Sequence, residues 1–177
     1  MYHPLELFKY CPECGSSHFQ VNNGKSKRCT DCGFVYYFNP SAATVAFVLN
    51  GNNELLVCRR GNEPAKGTLD LPGGFMDMCE TGEQGVSREV LEETGLKVTE
   101  AFYQFSLPNT YLYSGFLVHT LDQFFLCRVK DDSRLCAMDD VADSYWMPLQ
   151  EIHPEEFGLD SVREGVKRFL KEHNITK

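Results

Sequence analysis

The chain has 177 residues, which suits one ordinary domain plus a small module. Its hydrophobic share of 42% and charged share of 24% are typical of soluble globular proteins. The net charge is −8, and because residues 1–40 carry +1 the rest of the chain is strongly acidic, which argues against broad nucleic-acid binding. Neither a signal peptide nor an apolar span of membrane length is visible, so we expect a cytoplasmic protein without a membrane partner.

Two Cys-x-x-Cys pairs, each followed by glycine, come first along the chain. Two thiolates from each of two tight turns provide the closed tetrahedral environment of structural zinc. Two disulfides or a redox pair are the alternatives, and a reducing compartment disfavours the disulfides. The pattern therefore predicts a structural Zn²⁺ site whose ligands are Cys11, Cys14, Cys29 and Cys32.

Strand and turn signals follow the second cysteine pair. Apolar or aromatic runs at 34–38, 42–49 and 54–60 predict strands, with Asn39-Pro40 as a junction and residues 50–53 as a hairpin turn. Residues 61–71 are typical of an irregular connection. We therefore expect a zinc ribbon at 1–38 and a second domain at 39–177.

A helix is predicted after the glycine pair Gly73-Gly74. Thr81 and Gln84 have the spacing of a capping box, in which the threonine hydroxyl accepts from the backbone and the glutamine amide reaches back. Gly95 suits the left-handed residue that closes a helix. Beyond the helix, strands are expected at 96–107, 115–129 and 144–147, and an amphipathic helix at 160–173.

The predicted helix carries three carboxylates on one face. Glu92 and Glu93 follow Glu89 by three and four residues, so their like charges repel, and a hard divalent cation is the usual compensation. Arg88 precedes Glu92 by four residues and is also able to fold back toward Glu80. A solvated acidic face is the alternative interpretation.

The run from Gly74 to Leu96 also has a family resemblance. It reads Gly, five residues, Glu, seven residues, Arg-Glu-apolar-any-Glu-Glu-any-Gly-apolar, and it resembles the box of Nudix hydrolases at every fixed position. The resemblance implies an α/β/α sandwich with a mixed β-sheet. It also implies a catalytic Mg²⁺ or Mn²⁺ bound by Glu92, Glu93 and the carbonyl of Gly73. Glu89 would bind metal or act as general base, while Glu80 and Arg88 would organise the loop and helix.

A cysteine ribbon before such a box resembles the bacterial NADH pyrophosphatases. The resemblance implies hydrolysis of the diphosphate in a nucleoside diphosphate linked to a group X, as in NADH, ADP-ribose or nucleotide sugars. Those enzymes carry Ser-Gln-Pro-Trp-Pro-Phe-Pro downstream of the box, whereas this chain has Gln104-Phe105-Ser106-Leu107-Pro108-Asn109 there. A nucleoside-triphosphate hydrolase and a non-catalytic sensor or binding module stay as alternatives, and capped RNA as a substrate and a homodimer stay open.

Four residues outside the box are candidates for substrate contact or catalysis. Arg60 and Lys66 are cations near the glycine pair that could meet substrate phosphates, and surface solvation is the alternative for both. Phe105 could stack on a nucleobase, although most aromatic residues in strands belong to the core. Asp140 is our choice for the further acidic group that many Nudix enzymes take from a late loop.

Overall fold

The computed structural model describes residues 3–131, 133–138 and 141–173. The chain divides into two compact units. The first contains Met1–Pro40 and Tyr111–His119, and the second contains Ser41–Thr110 and Thr120–Lys177. Over the described part of the chain, no helix combines the length and the hydropathy that a membrane span requires.

The first unit is built on a three-stranded antiparallel sheet. Its strands are β1 (Phe19–Asn23), β2 (Ser26–Cys29) and β3 (Val35–Tyr37), in that spatial order. Each cysteine pair is closed by a glycine with positive φ, 73° at Gly15 and 80° at Gly33, a conformation that glycine adopts without steric cost. The sheet and the two turns thus form the ribbon that the cysteine pattern predicts.

Aromatic rings and one buried lysine consolidate the first unit. The Phe8 ring lies 6.1 Å from Tyr36 and 5.7 Å from Phe116, between ring centroids. Lys27 is only 7% exposed, and its ammonium donates a 2.5 Å hydrogen bond to the Phe8 carbonyl while lying 5.2 Å from the centroid of Phe19. The ammonium therefore keeps a partner despite its burial.

The second unit is organised around a mixed sheet. Its strands are β4 (Ser41–Leu49), β5 (Glu54–Arg60), β6 (Leu69–Asp70), β7 (Val98–Tyr113), β8 (Phe116–Val129) and β9 (Val141–Pro148). Strands β4 and β8 run parallel, from Ser41 opposite Thr120 to Leu49 opposite Arg128. Strand β5 is antiparallel to β4, β6 and β9. The mixed sheet that the resemblance implies is confirmed.

Strand β7 is longer than the sequence predicts. It continues through Pro108 to Tyr113 instead of ending at Leu107. In the strand order β7 has a single neighbour, β8, so a proline that lacks an N–H is tolerated on its outer edge. The turn that follows, Ser114-Gly115, has positive φ at both residues, as a two-residue hairpin turn requires.

Two helices cover opposite faces of this sheet. Helix α1 (Gly82–Thr94) packs through Val86 and Val90 in one core cluster, and helix α2 (Asp160–Glu172) packs through Val166 and Phe169 in another. Successive residues of β4 alternate between the clusters, because side chains of a strand point to opposite faces. The helices therefore lie on different faces, and the predicted α/β/α sandwich is confirmed. Two short 3₁₀ helices, Leu149–Glu151 and Pro154–Glu156, precede α2.

Both ends of α1 match their sequence signals. The backbone N–H of Gln84 donates to Thr81 Oγ1 at 3.3 Å, and the N–H of Thr81 donates to Gln84 Oε1 at 2.8 Å, which completes the capping box. Gly95 has φ 70°, and its N–H donates to the Leu91 carbonyl at 2.9 Å. Local hydrogen bonding thus determines where the carboxylate-bearing helix begins and ends.

Candidate active site and metal centre

The glycine pair holds the loop before α1 close to the sheet. The N–H of Thr44 donates to the Gly74 carbonyl at 2.9 Å, so the loop follows β4. A Cβ at Gly73 would lie 2.0 Å from the Thr44 carbonyl oxygen, and a Cβ at Gly74 would lie 2.7 Å from the carboxylate of Glu89. Only glycine allows this approach between strand, loop and carboxylate.

The helix face brings the predicted carboxylates to this loop. Glu93 Oε2 accepts a 3.0 Å hydrogen bond from the N–H of Gly73. Arg88 Nη1 donates to Glu89 Oε1 at 2.8 Å and to Glu92 Oε2 at 2.9 Å. Glu93 and Glu89 therefore lie beside the glycine loop, and Arg88 links Glu89 to Glu92 on the same helix.

Arg88 also joins the helix to the preceding loop. Its Nη2 donates to Glu80 Oε1 at 2.8 Å and to the Phe75 carbonyl at 3.0 Å, and its Nε donates to Glu80 Oε2 at 3.2 Å. Asp77 Oδ2 lies 3.6 Å from Nε. The contact between Arg88 and Glu80 that the sequence left open is thus formed, and Asp77 is an acidic neighbour that we did not predict.

Burial and ion pairing shift the pKa values of Glu89 and Glu80 in opposite directions. Burial raises the pKa of Glu89, against the lowering effect of Arg88. The hydrogen bond from Arg88 lowers the pKa of Glu80. Glu89 is consequently the better proton acceptor of the two, and Glu80 is the more firmly ionised partner of the arginine.

The four predicted zinc ligands also lie together. All four Sγ atoms are within 4.8 Å of one another, and the pairs Cys11–Cys32 and Cys14–Cys29 are 3.7 and 3.6 Å apart. Zn–S bonds of about 2.3 Å in a tetrahedron put neighbouring sulfurs roughly 3.8 Å apart, whereas a disulfide needs about 2.05 Å. All four cysteines are free, so their spacing fits a metal ion and not a disulfide.

Hydrogen bonding within the second cysteine turn favours the thiolate of Cys29, whereas at Cys32 the hydrogen bond from the Phe34 N–H is outweighed by burial and the neighbouring thiols, which raise the pKa of Cys32. The backbone N–H of Cys32 is the main cause that lowers the pKa of Cys29 to about 6. A thiolate is the form that binds metal. The hydrogen bonds of the turn therefore favour the form of Cys29 that binds a metal ion.

The remaining predicted residues lie in other surroundings. Arg60 forms an ion pair with Asp70 and donates to the Pro64 carbonyl at 2.7 Å, whereas Lys66 is exposed. Phe105 is 5% exposed and belongs to the core cluster that contains Phe169 of α2, its ring centroid 4.9 Å from that of Phe124. Asp140 lies outside the described residues.

A sequence profile of the NUDIX domain matches residues 39–169. The matched region is more than half of the chain and includes the glycine pair and all of α1. The chain belongs to the Nudix family. The resemblance drawn from the box between Gly74 and Leu96 is thereby confirmed.

Two curated relatives of this Nudix protein carry the same name. It is 29% identical over 157 residues to "NAD-capped RNA hydrolase NudC" of Haemophilus influenzae, covering 86% of this chain and 57% of the relative. It is 31% identical over 117 residues to the protein of that name from Deinococcus radiodurans, covering 64% of this chain and 41% of the relative. The chain thus spans about half the length of the curated relatives it matches.

Solved structures share the Nudix fold. A NUDIX hydrolase from Nitrosomonas europaea superposes with a TM-score of 0.74 at 23% identity, covering 94% of this chain and 92% of the other. The NUDIX domain of Shewanella oneidensis NrtR, solved with ADP ribose, gives a TM-score of 0.63 at 19% identity, covering 77% of this chain and 90% of the other. At these identities the likeness is one of fold.

Two buried hydroxyls of the second unit were not predicted from the sequence. Thr44 Oγ1 and Ser144 Oγ have no hydrogen-bond partner among the residues that the structure describes. Thr44 is the residue whose backbone meets the glycine pair, and Ser144 lies opposite Cys58 on β5. Nothing in the sequence distinguishes either from an ordinary strand hydroxyl, because burial without a partner is a property of the folded chain.

Proposed function

We propose that this protein is a metal-dependent Nudix hydrolase that cleaves the diphosphate of a nucleoside diphosphate linked to a group X, of the NADH or ADP-ribose type. The observation that carries the proposal is that Glu93 and Glu89 lie beside the glycine loop while Arg88 links Glu89 to Glu92. A solvated acidic face would leave all of these side chains in water, whereas Glu93 is bonded to the loop backbone and Glu89 is largely buried.

The donor chemistry of this cluster fits a hard divalent cation. Glu89, Glu92, Glu93 and the carbonyl of Gly73 would hold Mg²⁺ or Mn²⁺, since these ions prefer carboxylate and carbonyl oxygens. When bound, such an ion neutralises the substrate phosphates and lowers the pKa of a bound water.

The chain's own residues supply the proton transfer and its alignment. Where Glu89 does not bind the ion, it is our candidate for the base that takes a proton from the water attacking phosphorus, and burial raises its pKa in that state. Arg88 orients Glu89 through Nη1, and Glu80 fixes Arg88 from the loop side. Asp140 stays a proposed additional acidic group.

The comparisons support a dinucleotide-type substrate. The curated relatives are named for NAD-capped RNA, and the structure of the NrtR domain contains ADP ribose. Within the part of the chain that the structure describes, exposed Lys66 has no ion pair that would occupy it as Asp70 occupies Arg60. We therefore favour Lys66 over Arg60 for a substrate phosphate, and we assign Phe105 to the core.

We propose that the cysteine cluster holds one structural Zn²⁺. The separations of 3.6 and 3.7 Å between sulfurs support tetrahedral coordination by Cys11, Cys14, Cys29 and Cys32. Four protein ligands fill the shell of the ion, so this site would contribute stability and no catalytic position.

The test is a panel of substrates with wild type, Glu92→Gln and Glu93→Gln. The panel contains NADH, NAD⁺, ADP-ribose, a nucleotide sugar, a nucleoside triphosphate and NAD-capped RNA, each with Mg²⁺ or Mn²⁺. We expect turnover of dinucleotide-type substrates and its reduction to below about 1% in both variants. Glu100→Gln is the matched control, because Glu100 pairs with Arg128 on the surface and should keep full activity. Uniform inactivity of the wild type would favour the sensor or binding-module class instead.

A further inference from the structure

Every N–H of the Arg88 guanidinium has an acceptor. The group offers five donors, and five hydrogen bonds of 2.8–3.2 Å leave it. Three of them, from Nε and Nη2, go to Glu80 and to the Phe75 carbonyl in the loop. The other two, from Nη1, go to Glu89 and Glu92 on the helix.

These two sets of hydrogen bonds have different consequences. The loop-side set engages Glu80, which is only 14% exposed, and fixes the arginine in place. The helix-side set engages two carboxylates that the proposed function assigns to a divalent cation. An oxygen that accepts from a guanidinium offers one lone pair fewer to a metal, and a fixed positive charge at 2.8 Å repels a second cation.

Glu93 differs from Glu89 and Glu92 in having a backbone N–H as a partner. Its Oε2 accepts a 3.0 Å hydrogen bond from the neutral backbone N–H of Gly73. Glu92 has a side-chain exposure of 49% and an ion pair to Nη1. On the helix, Arg88 Nη1 therefore pairs directly with Glu89 and Glu92.

We propose that Arg88 Nη1 is an internal counter-ion that competes with the divalent cation for Glu89 and Glu92. Arg88 then stabilises the metal-free cluster and weakens metal binding, so that the ion is held loosely enough to exchange. Release of the two carboxylates does not require Arg88 to leave the loop, because Glu80 and the Phe75 carbonyl retain three of its hydrogen bonds. The inference rests on the proposed metal site.

The opposite change in metal affinity is expected if Arg88 only organises the carboxylates. If Arg88 only preorganises the carboxylates for metal, its removal lowers both the stability of the metal-free protein and the affinity for metal. If it is a competing counter-ion, its removal lowers the stability and raises the affinity, because two ligands of one site are coupled reciprocally. The sign of the change in affinity separates the two roles.

The experiment compares wild type, Arg88→Gln, Arg88→Lys and the control Arg128→Gln as complete chains. Thermal unfolding in EDTA reports the metal-free stability, and titration calorimetry with Mn²⁺ reports the affinity. We expect Arg88→Gln to melt at a lower temperature and to bind Mn²⁺ about tenfold more tightly. Arg88→Lys should fall between, since a single ammonium lacks the fork that spans several carboxylates. Arg128→Gln, which loses only an exposed pair with Glu100, should match wild type.

Two outcomes overturn the inference, and they are distinguishable. If wild type binds Mn²⁺ and folded Arg88→Gln binds it equally or more weakly, the counter-ion role is wrong and the proposed function stands. Should Arg88→Gln not fold in EDTA, the affinity of Arg88→Lys decides in the same way. If wild type does not bind Mn²⁺, the proposed metal site is wrong and the inference falls with it.

Discussion

The cysteine cluster and the carboxylate cluster are two candidate metal centres built in opposite ways. Four soft sulfurs from two short turns lie within 4.8 Å of one another in the first. In the second, hard oxygens are presented by one helix, and a guanidinium lies among them. Four thiolates that complete the coordination of an ion hold it permanently. An open group of carboxylates that already has a counter-ion holds a divalent cation loosely enough for exchange.

Removal of one cysteine should give the largest effect. We expect Cys29→Ser to reduce bound zinc from about one ion per chain to near zero and to unfold the first unit, because metal binding supplies much of the folding free energy of such small modules. Elemental analysis and hydrogen exchange of residues 3–40 measure both consequences. Cys136→Ser changes an exposed cysteine outside the cluster and is the matched control. Stoichiometric zinc in Cys29→Ser would contradict the assignment.

A chelator should remove the ion of the carboxylate cluster but leave the zinc of the cysteine cluster in place. Brief dialysis against EDTA should abolish hydrolysis, and Mn²⁺ should restore it, while the zinc content and the circular dichroism stay unchanged. The physical reason is that carboxylates bind Mg²⁺ and Mn²⁺ in an open site, whereas four thiolates enclose zinc. Loss of zinc at the same rate as loss of activity would show that the centres do not differ in this way.

Acidification should produce the smallest effect, through Glu80. Arg88 lowers the pKa of Glu80 below its ordinary 4.5 in the folded protein, so the unfolded chain takes up this proton first. The contribution of the pair to stability is therefore complete above the unfolded-state pKa and is lost as the pH falls through the folded-state pKa. We expect Glu80→Gln to melt below wild type at neutral pH and the gap to close below pH 4.5. A gap that is constant from pH 7 to pH 3 would exclude the ion pair as its cause.

Features governed by neighbours along the chain were predictable. Thr81, Gln84 and Gly95 gave both ends of α1, because capping uses backbone groups within one turn. The spacing of Glu89, Glu92 and Glu93 predicted a shared face for the same reason. The cysteine spacing predicted the cluster because each pair closes its own turn.

Features governed by distant partners were not predictable. Arg60 was a candidate for substrate, but its partner Asp70 lies on β6, a strand of two residues that shows no periodicity. Phe105 belongs to the core because its face of the strand meets α2, and alternation alone does not reveal which face is covered. The grouping of Tyr111–His119 with the first unit likewise depends on contacts such as that of Phe116 with Phe8.

The parallel pairing of β4 with β8 imposes an order on biosynthesis. Ser41 and the whole of α1 emerge from the ribosome before Thr120, the partner of Ser41, has been added. The sheet beneath α1 is therefore incomplete until residues 120–128 arrive, because contacts of high sequence separation form late. All four ligands of the cysteine cluster are present once Cys32 has been added, so the cluster can take up its ion on the nascent chain. We thus expect the structural centre to mature during translation and the catalytic one only near its end.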